Sequence, residues 1–389
     1  MVDAETLLSP VLEKIAKEQD YDDYKTDISL FVSGGANYTS QLYNITISAP
    51  KKDDLKLFAK VAVLGEKLRS LTTMQVFETE IMFYTKIMEK YREYEERYNF
   101  PKEERLVLPK YYGGSTEYMK ETIVLEELSA QGYQAFDRFK CYDWEYASKC
   151  VSILARIHAL SVRFERENTE EFEDLIEKLA FKFPMNDMKD MMEKAVAGAI
   201  GATAEEYRGR LAMFIQQNMT EENILKFYNP TRKVVLNHGD FRPSNVLHKT
   251  NENGELEVVL IDYQVLQKGN PVSDLLYFFI LGSDEHFREK HKDQYFNHYY
   301  EEFSKTLKRL EIDPDDVYTK EDFDGDVKEM LPIGIVIGMI SLPFVTVDVQ
   351  NAPSLEDGID LQSFDMELSD IFRKRFNALV KDYVNMGIL

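Results

Sequence analysis

The chain has 389 residues, which is long for one compact domain and fits two lobes that share a cleft. Hydrophobic residues make up 44% of the sequence and aromatic residues 12%, which is enough for a packed core. The net charge of −22 repels nucleic acid and anionic membranes, and this excludes both as partners. The two cysteines, Cys141 and Cys150, lack a metal-binding spacing and indicate a reducing compartment.

The first ten residues contain acids and no long apolar run, so we expect no signal peptide and a cytoplasmic location. A polar helical arm is predicted over residues 5–26, followed by a β-hairpin. Ile28–Ser33 and Tyr38–Ser48 alternate between polar and apolar residues, which is typical of half-buried strands.

The turn between these strands is rich in glycine, which lets backbone N–H groups approach a phosphate without a side chain in the way. An ordinary hairpin turn explains the same glycines, so the phosphate interpretation depends on motifs further along the chain. The candidate phosphate-binding residues are Gly34, Gly35, Asn37, Thr39 and Ser40.

The next predicted strand, Leu55–Leu64, carries Lys60 within its apolar run, and we predict that Lys60 contacts the α- and β-phosphates of a nucleotide. A solvent-facing strand lysine is the alternative. The helix predicted over residues 72–98 favours the first interpretation, because Glu80 lies beside its apolar stripe and Glu78 lies nearly opposite. A strand lysine and a glutamate on the next helix form the ion pair that orients the lysine in kinases.

Strands predicted at residues 106–108, 111–114 and 122–125 complete a five-stranded sheet, and the sequence then becomes helical. Residues 170–229 are rich in Met and Phe, which suits either a helical core or the wall of an apolar acceptor pocket. The apolar run Leu331–Val345 is interrupted by Pro and Gly, so we predict a buried helix and no membrane span.

The most informative stretch joins two short apolar runs, Val234–Leu236 and Val258–Ile261, which read as buried strands that each end at a carboxylate-bearing turn. The connector between them contains Asn253-Gly254, a hairpin signal. The side chains expected to meet at these strand ends are those of Asp240, Asn245 and Asp262.

Phosphoryl transfer from a nucleotide requires such a trio. Asp240 is predicted to accept the proton of the attacking hydroxyl, and Asn245 and Asp262 to hold magnesium ions that bridge the phosphates. Protein kinases carry the corresponding pieces as His-Arg-Asp with a downstream Asn and as Asp-Phe-Gly. Here His-Gly-Asp and Asp-Tyr-Gln replace them, which favours a small-molecule kinase without activation-loop control. We expect His238 and Asp274 to brace the loop, and His158 to be a satisfied core residue.

His-Gly-Asp, Asn245 and Ile-Asp-Tyr-Gln resemble the aminoglycoside/choline phosphotransferase superfamily, which is protein-kinase-like. Within it, Asn37–Ser40, the helix with Phe77, Glu80 and Tyr84, and the stretch Leu154–Ala159 resemble the ecdysteroid kinase-like family. The resemblance covers roughly residues 34–279. Many insect members have Trp two residues after the catalytic Asp, where this chain has Arg242.

The resemblance implies an α+β, bilobal, protein-kinase-like fold with a five-stranded antiparallel sheet and a helix in an N-lobe (1–128) and a mostly helical C-lobe (129–389). It also implies an adenine edge at Glu126, Glu127 and Leu128, with Gly132 as a hinge. The expected reaction is transfer of the ATP γ-phosphate, with Mg²⁺, to a small-molecule hydroxyl. A steroid such as an ecdysteroid is the favoured acceptor, and no obligate protein partner is evident.

Three other functions stay open to different degrees. A choline or aminoglycoside acceptor is the first alternative, and a pseudokinase used as a binding module is the second, although such a protein is expected to lose Asp240, Asn245 or Asp262. A protein kinase is the least favoured, because no activation-loop landmark follows Asp262.

Overall fold

The computed structural model describes residues 4–32, 40–62, 75–179, 189–220, 223, 232–348 and 367–389. An N-terminal helix, α1 (Ala4–Glu18), precedes a five-stranded antiparallel sheet. The predicted helical arm is therefore shorter than residues 5–26, because the chain turns at Asp20 and enters the first strand at Lys25.

The sheet has the spatial order β1-β2-β3-β5-β4, with each neighbouring pair antiparallel. One face packs against α1 through a core that includes Leu8, Leu12 and Ile15. The strands are β1 (Lys25–Phe31), β2 (Ser40–Ser48), β3 (Leu55–Ala62), β4 (Tyr111–Ser115) and β5 (Thr122–Glu126).

The strand predicted at residues 106–108 is wrong, and the sheet reaches five strands without it. The Leu106 amide donates to the Glu95 carboxylate (2.7 Å), so this backbone group is satisfied by a side chain and not by a neighbouring strand.

The second face of the sheet packs against one long helical segment. It consists of α2 (Val76–Met82), a π-helical turn (Phe83–Ile87) and α3 (Met88–Arg97). The extra residue of the π-turn rotates the buried face of the helix that follows it. In α3 this face includes Met88, Tyr91 and Tyr94. The predicted helix is therefore confirmed over the part of the chain that the structure describes, but the sequence did not predict the π-turn.

Glu95 is a buried carboxylate on α3 that lies outside the predicted site, with 2% of its surface exposed. Burial raises the pKa of its carboxyl to about 7, although the Leu106 amide and the nearby Arg105, Arg156 and Arg92 guanidinium groups lower it. The folded chain thus binds a proton at Glu95 more tightly than an unfolded chain does.

We expect Glu95→Gln to raise the free energy of unfolding by about 1–3 kcal/mol at pH 8, with the difference shrinking toward pH 4.5. The sign follows from the raised pKa: the stability that depends on protonated Glu95 is fully present below the unfolded pKa and is lost as pH rises through about 7. Urea unfolding across this range measures the effect. Glu96→Gln, at an exposed neighbour, controls for the change in net charge, and an equal gain in both variants would contradict the prediction.

A short 3₁₀ turn (Leu128–Gln131) connects the sheet to the rest of the chain. Gly132 ends this turn with φ of +86°, a conformation that glycine adopts without steric cost. Beyond it lie two small antiparallel sheets, one of β6, β8 and β9 and the other of β7 and β10. These strands are β6 (Gln134–Ala135), β7 (Val235–Asn237), β8 (Val246–Thr250), β9 (Leu256–Leu260) and β10 (Gln267–Gly269).

The remainder is mostly helical, and at its centre the helix Trp144–Glu167 packs along the helix Glu285–Arg309. The helices of this part are α4 (Trp144–Glu167), α5 (Thr169–Lys178), α6 (Lys189–Ala202), α7 (Glu205–Asn218), α8 (Pro271–Gly282), α9 (Glu285–Arg309), α10 (Lys320–Met330), α11 (Gly334–Thr346) and α12 (Asp370–Asn385). The architecture confirms the predicted α+β, kinase-like fold, with an antiparallel five-stranded sheet followed by a mostly helical region. The lobe boundary at residues 128/129 stays a prediction.

Among the described residues, one helical run, Lys320–Thr346, is long and apolar enough to cross a membrane by length and composition. In its most apolar window, 67% of the residues are buried inside the structure. A core helix passes the same test, and α11 packs here against α8 and α12, as expected for the buried helix predicted at Leu331–Val345.

Candidate active site

The predicted trio lies where two strands end and a hairpin begins. The chain leaves β7 at Asn237, passes Asp240, and turns through a 3₁₀ segment (Pro243–Asn245) into β8. The Asn245 side-chain amide donates to the Asp240 carboxylate (2.8 Å) and to the Asp240 carbonyl oxygen (2.9 Å). The side chain of Asn245 therefore fixes both the loop backbone and the Asp240 carboxylate.

The β8–β9 hairpin brings Asp262 to the same place. Its register pairs Val246 with Leu260, so the residues just outside this pair, Asn245 and Ile261, also face each other. The Ile261 amide donates to the Asn245 carbonyl oxygen (3.0 Å), which places Asp262 one residue beyond this contact. The turn contains Gly254 with φ of +80°, as the Asn-Gly signal predicts.

Asp262 itself has φ of +72°, an uncommon left-handed conformation for a residue with a side chain. Such strain persists where the surroundings fix it, and it is found most often at functional sites. The carboxylate is held by Lys60 (2.6 Å) and by the Gln264 side-chain amide (3.2 Å).

Hydrogen bonds from the neighbouring helix and strand hold the loop before Asp240 in place. Asp274, near the start of α8, accepts hydrogen bonds from the backbone amides of His238 (2.7 Å) and Gly239 (3.0 Å). His238 Nε2 lies 3.0 Å from the Ile261 carbonyl oxygen, which joins the loop to the strand that leads to Asp262. Both residues thus make the bracing contacts that the sequence predicted.

Gly239 occupies the position of the Arg in the protein-kinase motif, and its geometry explains the glycine. It has φ of +80°, and a Cβ atom there would overlap the carbonyl oxygen of Val265. Neither the backbone conformation nor the space permits an ordinary side chain.

His158 is fully buried beneath this loop, as expected for a core histidine. Its Nδ1 lies 2.7 Å from the Tyr299 hydroxyl and its Nε2 lies 3.2 Å from Asp274. Burial lowers the pKa of the imidazole, while the Asp274 carboxylate opposes that shift. A neutral ring that accepts from Tyr299 and donates to Asp274 satisfies both contacts.

A buried cation connects the sheet to the loop region. Lys60 on β3 contacts both carboxylate oxygens of Glu80 on α2 (2.9 and 2.8 Å) and one oxygen of Asp262 (2.6 Å). Glu80 has only 1% of its surface exposed. The strand–helix ion pair predicted from the alternation of β3 and the stripe of α2 is present in the structure.

These charges interact strongly because water is largely excluded. For Lys60, burial lowers the pKa of the ammonium, but Asp262 and Glu80 outweigh burial and the net shift is upward. For Asp262, burial raises the pKa of the carboxyl, but Lys60 and Arg242 outweigh burial and hold it below its usual range. Both Lys60 and Asp262 are therefore charged at neutral pH.

The helix that carries Glu80 is also held against Asp262 by stacking. Phe83, in the π-turn, stacks on Tyr263 with ring centroids 3.5 Å apart and planes 13° apart. The backbone amide of Tyr263 hydrogen-bonds to Glu80. The sequence contained no signal for this stack, because it depends on the register shift at the π-turn.

Two further side chains lie against the Asp240 carboxylate. The Arg242 Nε atom is 3.1 Å from Asp240 Oδ2, and the Tyr277 hydroxyl lies beside both Asp240 and Ser341 of α11. Sequence reasoning missed Tyr277. The available signal was its position three residues after Asp274 on α8, which places both side chains on one helix face.

The predicted adenine edge has a defined set of contacts. The Glu126 carboxylate accepts from the Gln131 side chain (2.6 Å) and the Lys110 amide (3.1 Å). The Glu127 amide donates to the Lys56 carbonyl oxygen (3.2 Å). The Leu128 side chain is buried with Tyr133 and Val259, so only its backbone is suited to meet a ligand. The adenine-binding role of all three residues stays a prediction.

The predicted phosphate-binding turn falls mostly on residues whose placement is not described. Gly34, Gly35, Asn37 and Thr39 lie outside the described residues. Ser40 is described, and it begins β2 opposite Ala62 with 3% of its surface exposed.

Comparison with known proteins decides the family. The sequence matches the model of the ecdysteroid kinase-like family over residues 34–312. The chain belongs to the ecdysteroid kinase-like family. Membership of this family supports a small-molecule kinase, that is, a phosphotransferase. No curated protein matches the chain.

Two solved structures of aminoglycoside 2'-phosphotransferase-IIIa are similar to this ecdysteroid kinase-like chain. The GDP complex of the wild-type enzyme aligns over 97% of this chain and 99% of its own, with 11% identity and a TM-score of 0.43. The GDP complex of a mutant aligns over 97% and 98%, with 11% identity and a TM-score of 0.45.

The side chains of this family member fit a magnesium site in their chemistry. Asn245 and Asp262 offer amide and carboxylate oxygens, the hard donors that Mg²⁺ prefers when substrate phosphates and water complete its shell. The side-chain nitrogen of Asn245 donates to Asp240, so the NH₂ group of the amide faces the loop. The side-chain oxygen of Asn245 is therefore the candidate ligand atom. Among the described residues, no cluster of three or more His, Cys, Asp or Glu offers an all-protein metal site.

Proposed function

We propose that this ecdysteroid kinase-like protein transfers the γ-phosphate of ATP, with Mg²⁺, to a hydroxyl of a small molecule in the cytoplasm. The observation that carries the proposal is that Asn245 bonds to Asp240 while Asp262 bonds to the Lys60–Glu80 ion pair, and that the bond from the Ile261 amide to the Asn245 carbonyl oxygen holds these two groups side by side. Each member has a task in phosphoryl transfer, and the separate elements that supply them have no structural need to converge.

Asp240 is the proposed general base. One of its carboxylate oxygens, Oδ2, is held by Asn245 and Arg242, and this fixes the direction of the other oxygen. The side chain is only 15% exposed, so an acceptor hydroxyl placed there meets a carboxylate largely shielded from water. General-base assistance of this kind contributes about 10²–10⁴-fold.

Lys60, Asn245 and Asp262 are proposed to bind the nucleotide. Lys60 is oriented by Glu80 and would pair with phosphate oxygens, and Asn245 and Asp262 would hold Mg²⁺. The bound metal neutralises charge on the transferred phosphoryl group and on the leaving nucleotide.

The favoured acceptor is an ecdysteroid or a related steroid alcohol. The family description supports this class. A cavity of about 170 Å³, lined mostly by apolar side chains, lies between α6, α11 and α12, and it is smaller than the roughly 300–1,000 Å³ usual for a drug-sized ligand. Met191, Met339 and Phe344 line it, and flexible Met side chains adapt to flat hydrophobic ligands. Phe172 and Leu175 of the same Met- and Phe-rich segment belong to the buried core, as the first of the two interpretations weighed from sequence predicts. The second, a wall of an acceptor pocket, stays a prediction.

A coupled assay of nucleotide turnover tests the proposal with an ecdysteroid, choline and an aminoglycoside as acceptors, each with ATP and with GTP. We expect turnover with ATP and the steroid, and a product that gains one phosphoryl group by mass spectrometry. The Asp240→Asn variant is the inactive control, and its rate measures background nucleotide turnover. Turnover with choline or the aminoglycoside, and none with the steroid, would contradict the proposed acceptor but would still support a phosphotransferase. Nucleotide binding without turnover on any acceptor would favour the binding-module alternative.

A further inference from the structure

His158 is a fully buried histidine on α4 whose two ring nitrogens each contact another helix. Its Nδ1 atom is 2.7 Å from the Tyr299 hydroxyl on α9, and its Nε2 atom is 3.2 Å from Asp274 Oδ2 on α8. Burying polar nitrogens costs free energy, so a residue that served only to fill the core would be better apolar. The two contacts therefore call for a further explanation.

The direction of these hydrogen bonds follows from the carboxylate. Asp274 already accepts from the backbone amides of His238 (2.7 Å) and Gly239 (3.0 Å), and an ionised carboxylate can only accept. The Nε2 atom of His158 must therefore carry the ring proton and donate to Asp274. Burial lowers the pKa of the imidazole, so the ring is neutral at pH 7 and Nδ1 accepts from the Tyr299 hydroxyl.

Asp274 depends on these N–H donors because it lacks a cation. It has 2% of its surface exposed, and among the described residues it forms no ion pair with a Lys or Arg side chain. Its charge is stabilised by two backbone amides of the loop and by the ring of His158. Removing the imidazole takes away the only side-chain donor of the three, and a buried carboxylate with fewer donors is held less firmly.

Helix α4 also holds the strand that leads into the loop. The Leu236 amide of β7 donates to the Ser161 hydroxyl (3.2 Å), and Ser161 donates to the His158 carbonyl oxygen (2.7 Å). The ring of Tyr299 is itself kept in place by stacking on Phe303, with centroids 5.8 Å apart. His158 thus connects a rigid part of the helical core to both ends of the segment before the proposed base.

We propose that His158 is a positioning residue for the reaction, and that it acts by holding Asp274 against the backbone that sets the place of Asp240. This inference rests on the proposed function. Asp240 directly follows Gly239, so a shift of the two amides bound by Asp274 moves the proposed base relative to the acceptor hydroxyl. A misplacement of about 1 Å in an active site can cost roughly 10²-fold in rate. The imidazole neither gains nor loses a proton in this role.

Three variants separate positioning from packing. His158→Leu fills the space without a donor, and we expect kcat to fall about 10–100-fold while the dissociation constant of magnesium–ADP changes less than about threefold. His158→Gln keeps an N–H group that can reach Asp274, so it should recover most of the loss. Tyr299→Phe removes only the bond to Nδ1 and should lower kcat about threefold to tenfold. This milder variant keeps the test open if His158→Leu does not fold.

Tyr300→Phe is the matched control, because Tyr300 is the next residue on α9 and its hydroxyl donates to the Tyr318 carbonyl oxygen (2.9 Å). This variant loses a similar buried hydrogen bond and should keep the wild-type kcat. A second comparison repeats His158→Leu in the Asp240→Asn background. If His158 acts through Asp240, the added substitution should lower the residual rate less than about twofold.

Hydrogen–deuterium exchange adds a measurement that needs no acceptor. In His158→Leu the amides of His238 and Gly239 should exchange about tenfold faster or more, and in Tyr300→Phe they should exchange at the wild-type rate. Wild-type kcat in His158→Leu, or an equal fractional loss with and without Asp240, would overturn the inference and leave the proposed kinase standing. A wild type that phosphorylates no acceptor would remove the proposed function. In that case the exchange rates alone decide whether His158 positions the loop, and unchanged rates in His158→Leu would overturn it.

Discussion

Asp240→Asn is expected to lower kcat by about 10²–10⁴-fold and to leave the dissociation constant of magnesium–ADP nearly unchanged. Asparagine has almost the same shape and still accepts a hydrogen bond from Asn245 or Arg242, but it cannot take the proton of the acceptor. The residues proposed to bind the nucleotide are Lys60, Asn245 and Asp262, and this substitution leaves them unchanged. Steady-state kinetics and calorimetry on the same preparation separate the two quantities.

Asp293→Asn is a suitable control for this variant. Asp293 lies on α9 with 83% of its side chain exposed, so the substitution removes the same charge without touching the site. Full activity in Asp240→Asn would take the proton-accepting role away from Asp240. A parallel loss of ADP binding would instead show that the substitution disturbs the nucleotide site.

Asp262→Asn is expected to weaken magnesium-dependent binding of ADP or ATP on the order of 100-fold or more. The substitution removes the only carboxylate proposed to hold the metal, and an amide oxygen is a much weaker ligand for Mg²⁺. It also takes one of two anionic partners from Lys60, which keeps the 2.8 Å contact with Glu80. Calorimetry with and without magnesium measures the metal-dependent part of the affinity.

The comparison with Asp240→Asn makes this second prediction specific. Both variants remove one negative charge from the same site, yet only Asp262→Asn should abolish the effect of magnesium on binding. Retention of a full magnesium effect in Asp262→Asn would exclude Asp262 as the main metal ligand. Thermal unfolding of both variants shows whether the loss of kcat or of magnesium-dependent binding results only from a destabilised fold.

The residues nearest to Asp240 were the most predictable part of the site. Asp240 and Asn245 lie on one tight turn, so their spacing fixes their proximity. Asp262 follows from the Asn-Gly hairpin, whose register is set by local turn chemistry. Lys60 and Glu80 were also accessible from sequence, because strand alternation and the helical stripe specify which face each side chain occupies.

Contacts made across elements were not accessible in this way. Tyr277 reaches Asp240 from α8, and Gln264 turns back onto Asp262. The spacing of Tyr277 from Asp274 indicates a shared helix face, but it does not identify Asp240 as the partner. The π-turn at Phe83–Ile87 has no sequence signature, and the Phe83–Tyr263 stack depends on it. The mistaken strand at residues 106–108 arose because an apolar triplet does not show that Glu95 binds its backbone.

The tight packing of Gly239 against the Val265 carbonyl bears on how such a protein can be controlled in the cell. Protein kinases tether a phosphorylated loop through an arginine at this point, and here that arginine would need the backbone of two neighbouring turns to move apart. A single substitution cannot therefore graft a phosphorylation switch onto this chain.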